Sequence, residues 1–266
     1  MSASAARAEG SGRSLQRTDE LWRRRHWRDR PAAHPLWGGL EIAGALTLAY
    51  SWIVNRVIPD SWYIPGNAAA AAAFIALGRG TGATWTDMGL RPDRAGRGLR
   101  VGLAAAAPIA AVVALGVAVP ASRRYFADQR VIGLGAGTVV YDALVRIPLG
   151  TAVCEEVIFR GAMLGMLLRR RTPLSAVVVS SLLFGLWHVF PTLDTLHLNP
   201  AGALVEGSAL RTTGAVIGTV AATSAAGVGF AWLRLRANSV VAPIIAHAAL
   251  NVTALLAGRL VVTVIS

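Results

Sequence analysis

Apolar residues along this chain gather into seven long blocks, near 36–58, 64–78, 99–119, 135–168, 173–193, 212–233 and 239–258, with Pro, Gly or Arg at most of the junctions. Gly102 to Val119 contains no charged residue. At about 1.5 Å per helical residue such a stretch spans the hydrocarbon layer of a bilayer. The pattern predicts an all-α, polytopic transmembrane helix bundle with about seven crossings. Counts from six to eight fit, because the second block is short and alanine-rich and the fourth is longer than one crossing needs. Pro148, inside the fourth, is expected to kink it or to split off a re-entrant piece.

Composition strengthens this reading. Hydrophobic residues make up 54% of the 266 positions, charged ones only 15%, and mean hydropathy is +0.51, a balance that a water-soluble domain of this length rarely shows. Net charge is +12, from 26 basic and 14 acidic residues, and every basic residue is Arg. The arginines flank hydrophobic blocks, and no nucleic-acid recognition motif accompanies them, so membrane orientation explains them better than phosphate binding. No nucleic-acid partner is expected.

Residues 1–34, with Arg23, Arg24, Arg25, Arg28 and Arg30, read as a basic, disordered cytosolic tail, too long and too charged for the basic region of a signal peptide. Residues 35–258 read as the membrane-embedded domain, with the chemistry in 135–258, and 259–266 as a short C-terminal tail. Arginines recur at alternate junctions: the tail, the 79–100 loop, Arg169 to Arg171, and Arg234 with Arg236. Those junctions are assigned to the cytosol and the protein to the cell membrane, although Arg123, Arg124 and Arg130 lie in the opposing 120–134 loop.

Ionisable groups inside spanning helices are costly and mark function unless they are paired. Three blocks carry them. The fourth reads Cys154-Glu155-Glu156-Val157-Ile158-Phe159-Arg160. Glu156 and Arg160, four apart, share a helix face, whereas Glu155 is rotated by about 100°. One carboxylate can be neutralised by the guanidinium while the other faces a cavity as a general base. A plain intramembrane ion pair is the competing account of Glu156 and Arg160, but a second buried carboxylate adds desolvation cost without adding a partner. The fifth block places Phe184 one turn before His188, and the seventh places His247 one turn before Asn251. Alone, each could be a core histidine or interhelical glue. Counted from the cytosolic ends, Glu155, Glu156, His188 and Asn251 fall at one depth, roughly 20 Å, with His247 a turn shallower at roughly 12 Å. Cys154 is the single cysteine; it excludes an intrachain disulfide and reads as a small packing residue rather than a nucleophile.

The three signatures Glu-Glu-x-x-x-Arg, Phe-x-x-x-His and His-x-x-x-Asn, in this order on separate hydrophobic segments, resemble the CPBP membrane proteins, also called Abi or CAAX-protease-like. The extended reading Glu-Glu-x-x-Phe-Arg-Gly resembles the bacterial branch, and the all-arginine, alanine-rich composition fits a bacterial origin. The resemblance covers residues 135–258.

It implies an intramembrane endopeptidase that hydrolyses a peptide bond of a membrane-associated protein or peptide. Glu155 with His188 would activate a water, His247 and Asn251 would donate to the oxyanion, Glu156 and Arg160 would hold the helix and tune Glu155, and Phe184 would support His188. Zn2+ held by Glu155, His188 and His247 is the competing version. No HExxH motif favours it, so glutamate-activated water with no required cofactor is preferred. From other classes, a non-proteolytic binding or immunity protein could use the same polar cluster. A proton-coupled transporter would also want buried Glu and His, but the chain lacks the internal repeat expected of one.

Overall fold

The structure is a computed structural model that describes residues 39–198 and 208–265, and among them it contains helices and turns but no strand. The hydrophobic blocks appear as helices in the expected order: α1 (Gly39–Arg56), α2 (Tyr63–Gly80), α3 (Ala95–Ala118), α4 (136–168), α5 (Pro173–Trp187) with α6 (Val189–Thr195) directly after it, α7 (Ala209–Ala237) and α8 (Val241–Leu260). Four helical runs are long and apolar enough to cross a membrane, Pro92–Ala118, Pro173–Thr195, Ala209–Ala237 and Val241–Thr263. The expected tail at 1–34 lies outside the described residues. Residues 259–265, expected as a C-terminal tail, instead extend α8 and finish in a π-helical turn.

Polarity is distributed as a bilayer demands. Leu144, Val112, Ile217, Leu174 and Leu210 are exposed on the outside, while Thr47, Ser51, Asn67, Glu155, Glu156, Arg160 and Ser180 are buried inside. In water this arrangement would expose apolar surface to solvent; in lipid it satisfies both phases.

Close helix packing here depends on small residues. The tightest pair is α3 with α8, where a Cβ on Gly102 would stand 2.8 Å from the Ile245 Cβ and 2.9 Å from the Ala242 carbonyl. Gly98, one turn earlier, faces Ser239 and Val241. A second seam joins α5 and α7, with Gly185 against the Val220 carbonyl and Ser224, and Gly227 against Ser181. Without a hydrophobic drive between helices in lipid, such backbone approach supplies the packing energy.

The fourth block differs from expectation at Pro148. Helix α4 is neither broken nor re-entrant; it runs continuously, widening into π-helical turns over Asp142–Ala152 and Val157–Met163. Proline lacks the N–H of the α-helical register and its ring crowds the carbonyl four residues back, and the wider turn relieves that conflict. A single α-helical turn, Val153–Glu156, separates the two π-helical stretches and carries both glutamates.

Three of the arginine-marked junctions meet at one end of the bundle. In the 81–91 loop Thr84 and Asp87 cap each other through their side chains and backbone N–H groups, and Asp87 accepts from Arg169 of the 169–171 junction at 3.3 Å. Arg234 of α7, fully buried, donates to the Asp87 and Thr86 carbonyls, and Arg97 donates to the Arg236 carbonyl at 2.7 Å. The 120–134 loop packs on the other end of α8, where Arg259 donates to the Val131 carbonyl. The side-by-side grouping read from the arginines therefore holds for these three junctions.

Gly89 closes the clamped loop with φ +67°, its carbonyl accepts from the Val240 N–H at 3.0 Å, and an added Cβ would stand 2.9 Å from Arg234 Nε. Gly89→Ala therefore combines left-handed strain, about 1–2 kcal/mol, with displacement of Arg234. Gly133, at φ +75° with open space around it, carries the backbone cost alone. The expected result is a larger drop in the detergent-solution unfolding midpoint for Gly89→Ala than for Gly133→Ala; equal drops would show that Arg234 does not depend on Gly89.

Candidate active site

Glu155 and Glu156 lie on the single α-helical turn of α4, so their side chains diverge by about 100°. That divergence gives them separate partners. Glu156 Oε1 sits 3.1 Å from Arg160 Nη1, one turn on, and 2.9 Å from His247 Nδ1 on α8. Both Glu156 and Arg160 are fully buried. The remaining arginine surface is covered by rings: the guanidinium carbon is 4.0 Å from the Phe184 ring centre, 5.2 Å from Phe230 and 5.8 Å from Phe159. Desolvation strengthens such cation–π contacts.

Glu155 faces α5 instead. Its Oε1 accepts from the Trp187 indole N–H at 3.2 Å. Its Oε2 has no hydrogen-bond partner among the described residues and lies 3.9 Å from His247 Nε2, beyond direct hydrogen-bond reach. The two edges of one imidazole thus face the two glutamates. Because the Glu156 carboxylate can only accept, the Nδ1 of His247 carries a proton, and the Nε2 edge is left toward Glu155. Phe230 stacks on the His247 ring at 5.0 Å and an interplanar angle of 20°, which fixes its plane.

His188 closes the C-terminus of α5. Its Nδ1 lies 2.8 Å from the Phe184 carbonyl, so Nδ1 is the protonated nitrogen of the neutral ring and the Nε2 lone pair points elsewhere. Its ring meets the Phe184 edge at 4.7 Å. Phe184 also faces His247 at 5.9 Å and Phe159 at 5.1 Å, so it touches every part of the cluster except Asn251 and the glutamates. His188 and Asn251 are both half-buried, and among the described residues the Asn251 amide makes no hydrogen bond.

The six polar residues singled out from sequence thus divide. Glu155, Glu156, Arg160 and His247 form one contact network, Phe184 links His188 to it, and Asn251 lies one turn along α8 from His247. The depth count set Asn251 level with the glutamates and His247 a turn shallower; the contacts put His247 level with them. Counting residues assumes upright α-helices with a common starting plane, and the π-helical turns of α4 break that assumption.

Two members of the site were not singled out from the sequence. Trp187 directly precedes His188 and looked like any aromatic residue of a membrane helix. Phe230 lies in α7, which carries no signature at all, so only packing reveals it. The possible zinc set is not assembled: among the described residues no three His, Cys, Asp or Glu side chains converge as metal ligands, and His188 turns its Nδ1 to a carbonyl. Cys154 is buried on the same turn as the glutamates and serves as a small packing residue.

Searches of the curated proteins and of the solved structures return no match. A sequence model of one family, described as type II CAAX prenyl endopeptidase Rce1-like, matches residues 138–253. The matched segment contains α4, both glutamates, Arg160, Phe184, His188, His247 and Asn251. Across residues 138–253, and so across the whole buried polar site, this chain belongs to the Rce1-like family of type II CAAX prenyl endopeptidases.

Proposed function

We propose that this protein is an intramembrane endopeptidase that cleaves a membrane-associated protein or peptide with water activated by Glu155. The observation that carries the reading is the division of the two glutamates. Glu156 is neutralised by Arg160 and His247, while Glu155 keeps one buried oxygen, Oε2, without a partner and within 3.9 Å of His247 Nε2. A carboxylate oxygen held this way, away from bulk water, is suited to take a proton.

In the proposed reaction a water oxygen attacks the scissile carbonyl carbon as its proton passes to Glu155 Oε2. The lone pair on His188 Nε2 orients that water. His247 and Asn251, one turn apart on α8, face the developing oxyanion. Collapse of the tetrahedral intermediate breaks the C–N bond, and the proton held by Glu155 goes to the leaving amine. The products are a new carboxylate and a new amino terminus. No step runs through a metal, because the three side chains that would hold one do not converge. The family description extends the substrate class to prenylated C-terminal peptides.

The test is cleavage by purified protein in vesicles, with a panel of membrane-anchored peptides, prenylated and unprenylated. His188→Ala is expected to lower the cleavage rate by about 10²-fold, and the wild-type rate is expected to survive a chelator. An unchanged rate in His188→Ala would remove His188 from the mechanism. A rate lost to chelation and restored by zinc would replace glutamate-activated water with metal chemistry.

A further inference from the structure

We propose that Trp187 is a positioning residue for Glu155, and that helices α1 and α2 set its place. This rests on Glu155 being the catalytic base. The indole N–H occupies Glu155 Oε1 at 3.2 Å and thereby presents Oε2 as the one oxygen left to receive a proton. A carboxylate on a flexible two-carbon stem would otherwise rotate and exchange its oxygens. One hydrogen bond from a rigid, buried ring removes that freedom.

Trp187 is itself held on three sides. Ser51 of α1 donates to the Trp187 carbonyl at 2.6 Å, satisfying an acceptor left open at the end of α5. Tyr50, its neighbour, lies against the indole at 6.0 Å, and the Tyr50 hydroxyl donates to Asn67 of α2 at 2.9 Å. Phe159 meets the other side of the indole edge-on at 5.6 Å. Ser51 and Asn67 are both buried polar residues in apolar helices, and each has its polar group engaged in this chain of contacts. Tyr50, Ser51 and Asn67 all precede the family-matched segment 138–253. The amino-terminal helices therefore do more than fill the bilayer: they brace the ring that aims the base. The same clamp fixes the residue before His188, so one anchor serves both ends of the proposed water-activating pair.

The alternative is that Trp187 is a core residue whose N–H merely found a nearby acceptor. The decisive substitution keeps the ring and removes only the donor: incorporation of β-(3-benzothienyl)alanine at 187, in which sulfur replaces the N–H. The expected result is a fall in kcat of about ten- to hundredfold with KM and the unfolding midpoint unchanged. Incorporation of 5-fluorotryptophan, which retains the N–H, should restore the rate. A core role would instead lower the unfolding midpoint and leave kcat per folded molecule intact, and that outcome overturns the proposal.

Two parallel measurements separate this inference from the reading beneath it. If Glu155→Gln abolishes cleavage while the benzothienyl variant cleaves at the wild-type rate, only the role of Trp187 falls. If Glu155→Gln cleaves normally, the base assignment falls first. The indole N–H resonance of 15N-tryptophan-labelled protein supplies a readout independent of turnover. It should shift in Glu155→Gln, because a neutral amide accepts more weakly than a carboxylate; no shift would overturn the hydrogen bond itself.

Discussion

Glu155→Gln is expected to lower kcat/KM for peptide cleavage by about 10³-fold while leaving the unfolding midpoint within a degree or so of wild type. The substitution is nearly isosteric, and the amide oxygen can still accept from the Trp187 N–H, so packing and the anchor at Oε1 persist. What disappears is the basic oxygen, because the amide nitrogen that replaces Oε2 cannot take a proton from water. No stabilising ion pair is lost, since Oε2 had no hydrogen-bond partner. Steady-state kinetics in vesicles, with thermal unfolding of the same preparations, reads both quantities. A variant that cleaves at the wild-type rate would remove Glu155 from the chemistry. A variant that unfolds would recast it as a structural group.

Arg160→Met should have the opposite signature, loss of the folded state first and of activity as a consequence. It leaves the fully buried Glu156 carboxylate with His247 as its one remaining ionisable contact, and breaking a buried pair by removing one partner costs about 3–5 kcal/mol. Methionine fills much of the volume between Phe159, Phe184 and Phe230, so the loss reports charge rather than a cavity. The double variant Glu156→Gln with Arg160→Met removes both charges and should recover a large part of the stability, because the penalty comes from the uncompensated charge. Denaturant titration in detergent measures the cycle. If the double variant were as unstable as the single, the cost would lie in packing, and Glu156 would not depend on Arg160 for its burial.

Together these substitutions separate adjacent residues of identical chemistry. Glu156 is predicted to be needed for folding and Glu155 for turnover, and the difference arises from a rotation of about 100° on one helical turn. The turn itself is short, with π-helical geometry on both sides. A shift by one residue would exchange the partners, placing Glu155 toward Arg160 and Glu156 toward Trp187.

Much of this architecture is legible in the residue order. Long apolar blocks become helices because a bilayer requires every backbone group to be bonded within its own segment. Arginine-marked junctions meet at one end because charges cannot enter the hydrocarbon layer, and the contacts of Arg97, Arg169 and Arg234 realise that constraint. The ion pair of Glu156 with Arg160 follows from a spacing of four on a helix. These features are local or one-dimensional, so the chain alone determines them, including the motif order that reveals the family.

Other features required tertiary structure. Nothing in the spacing of Pro148 distinguishes a kink from a wide π-helical turn, since both relieve the same clash; the packing of α2 and α8 against this stretch selects the continuous helix. Phe230 joins the site only because Gly185 and Gly227 let α5 and α7 approach closely enough to lay its ring on His247. Trp187 reads as one aromatic residue among eight tryptophans until the fold turns its N–H toward Glu155. The seven hydrophobic blocks thus determined that helices form and which end of each carries charge. Which residues of different helices touch depends on rotation and depth, and those are decided by interhelical packing that no single segment encodes.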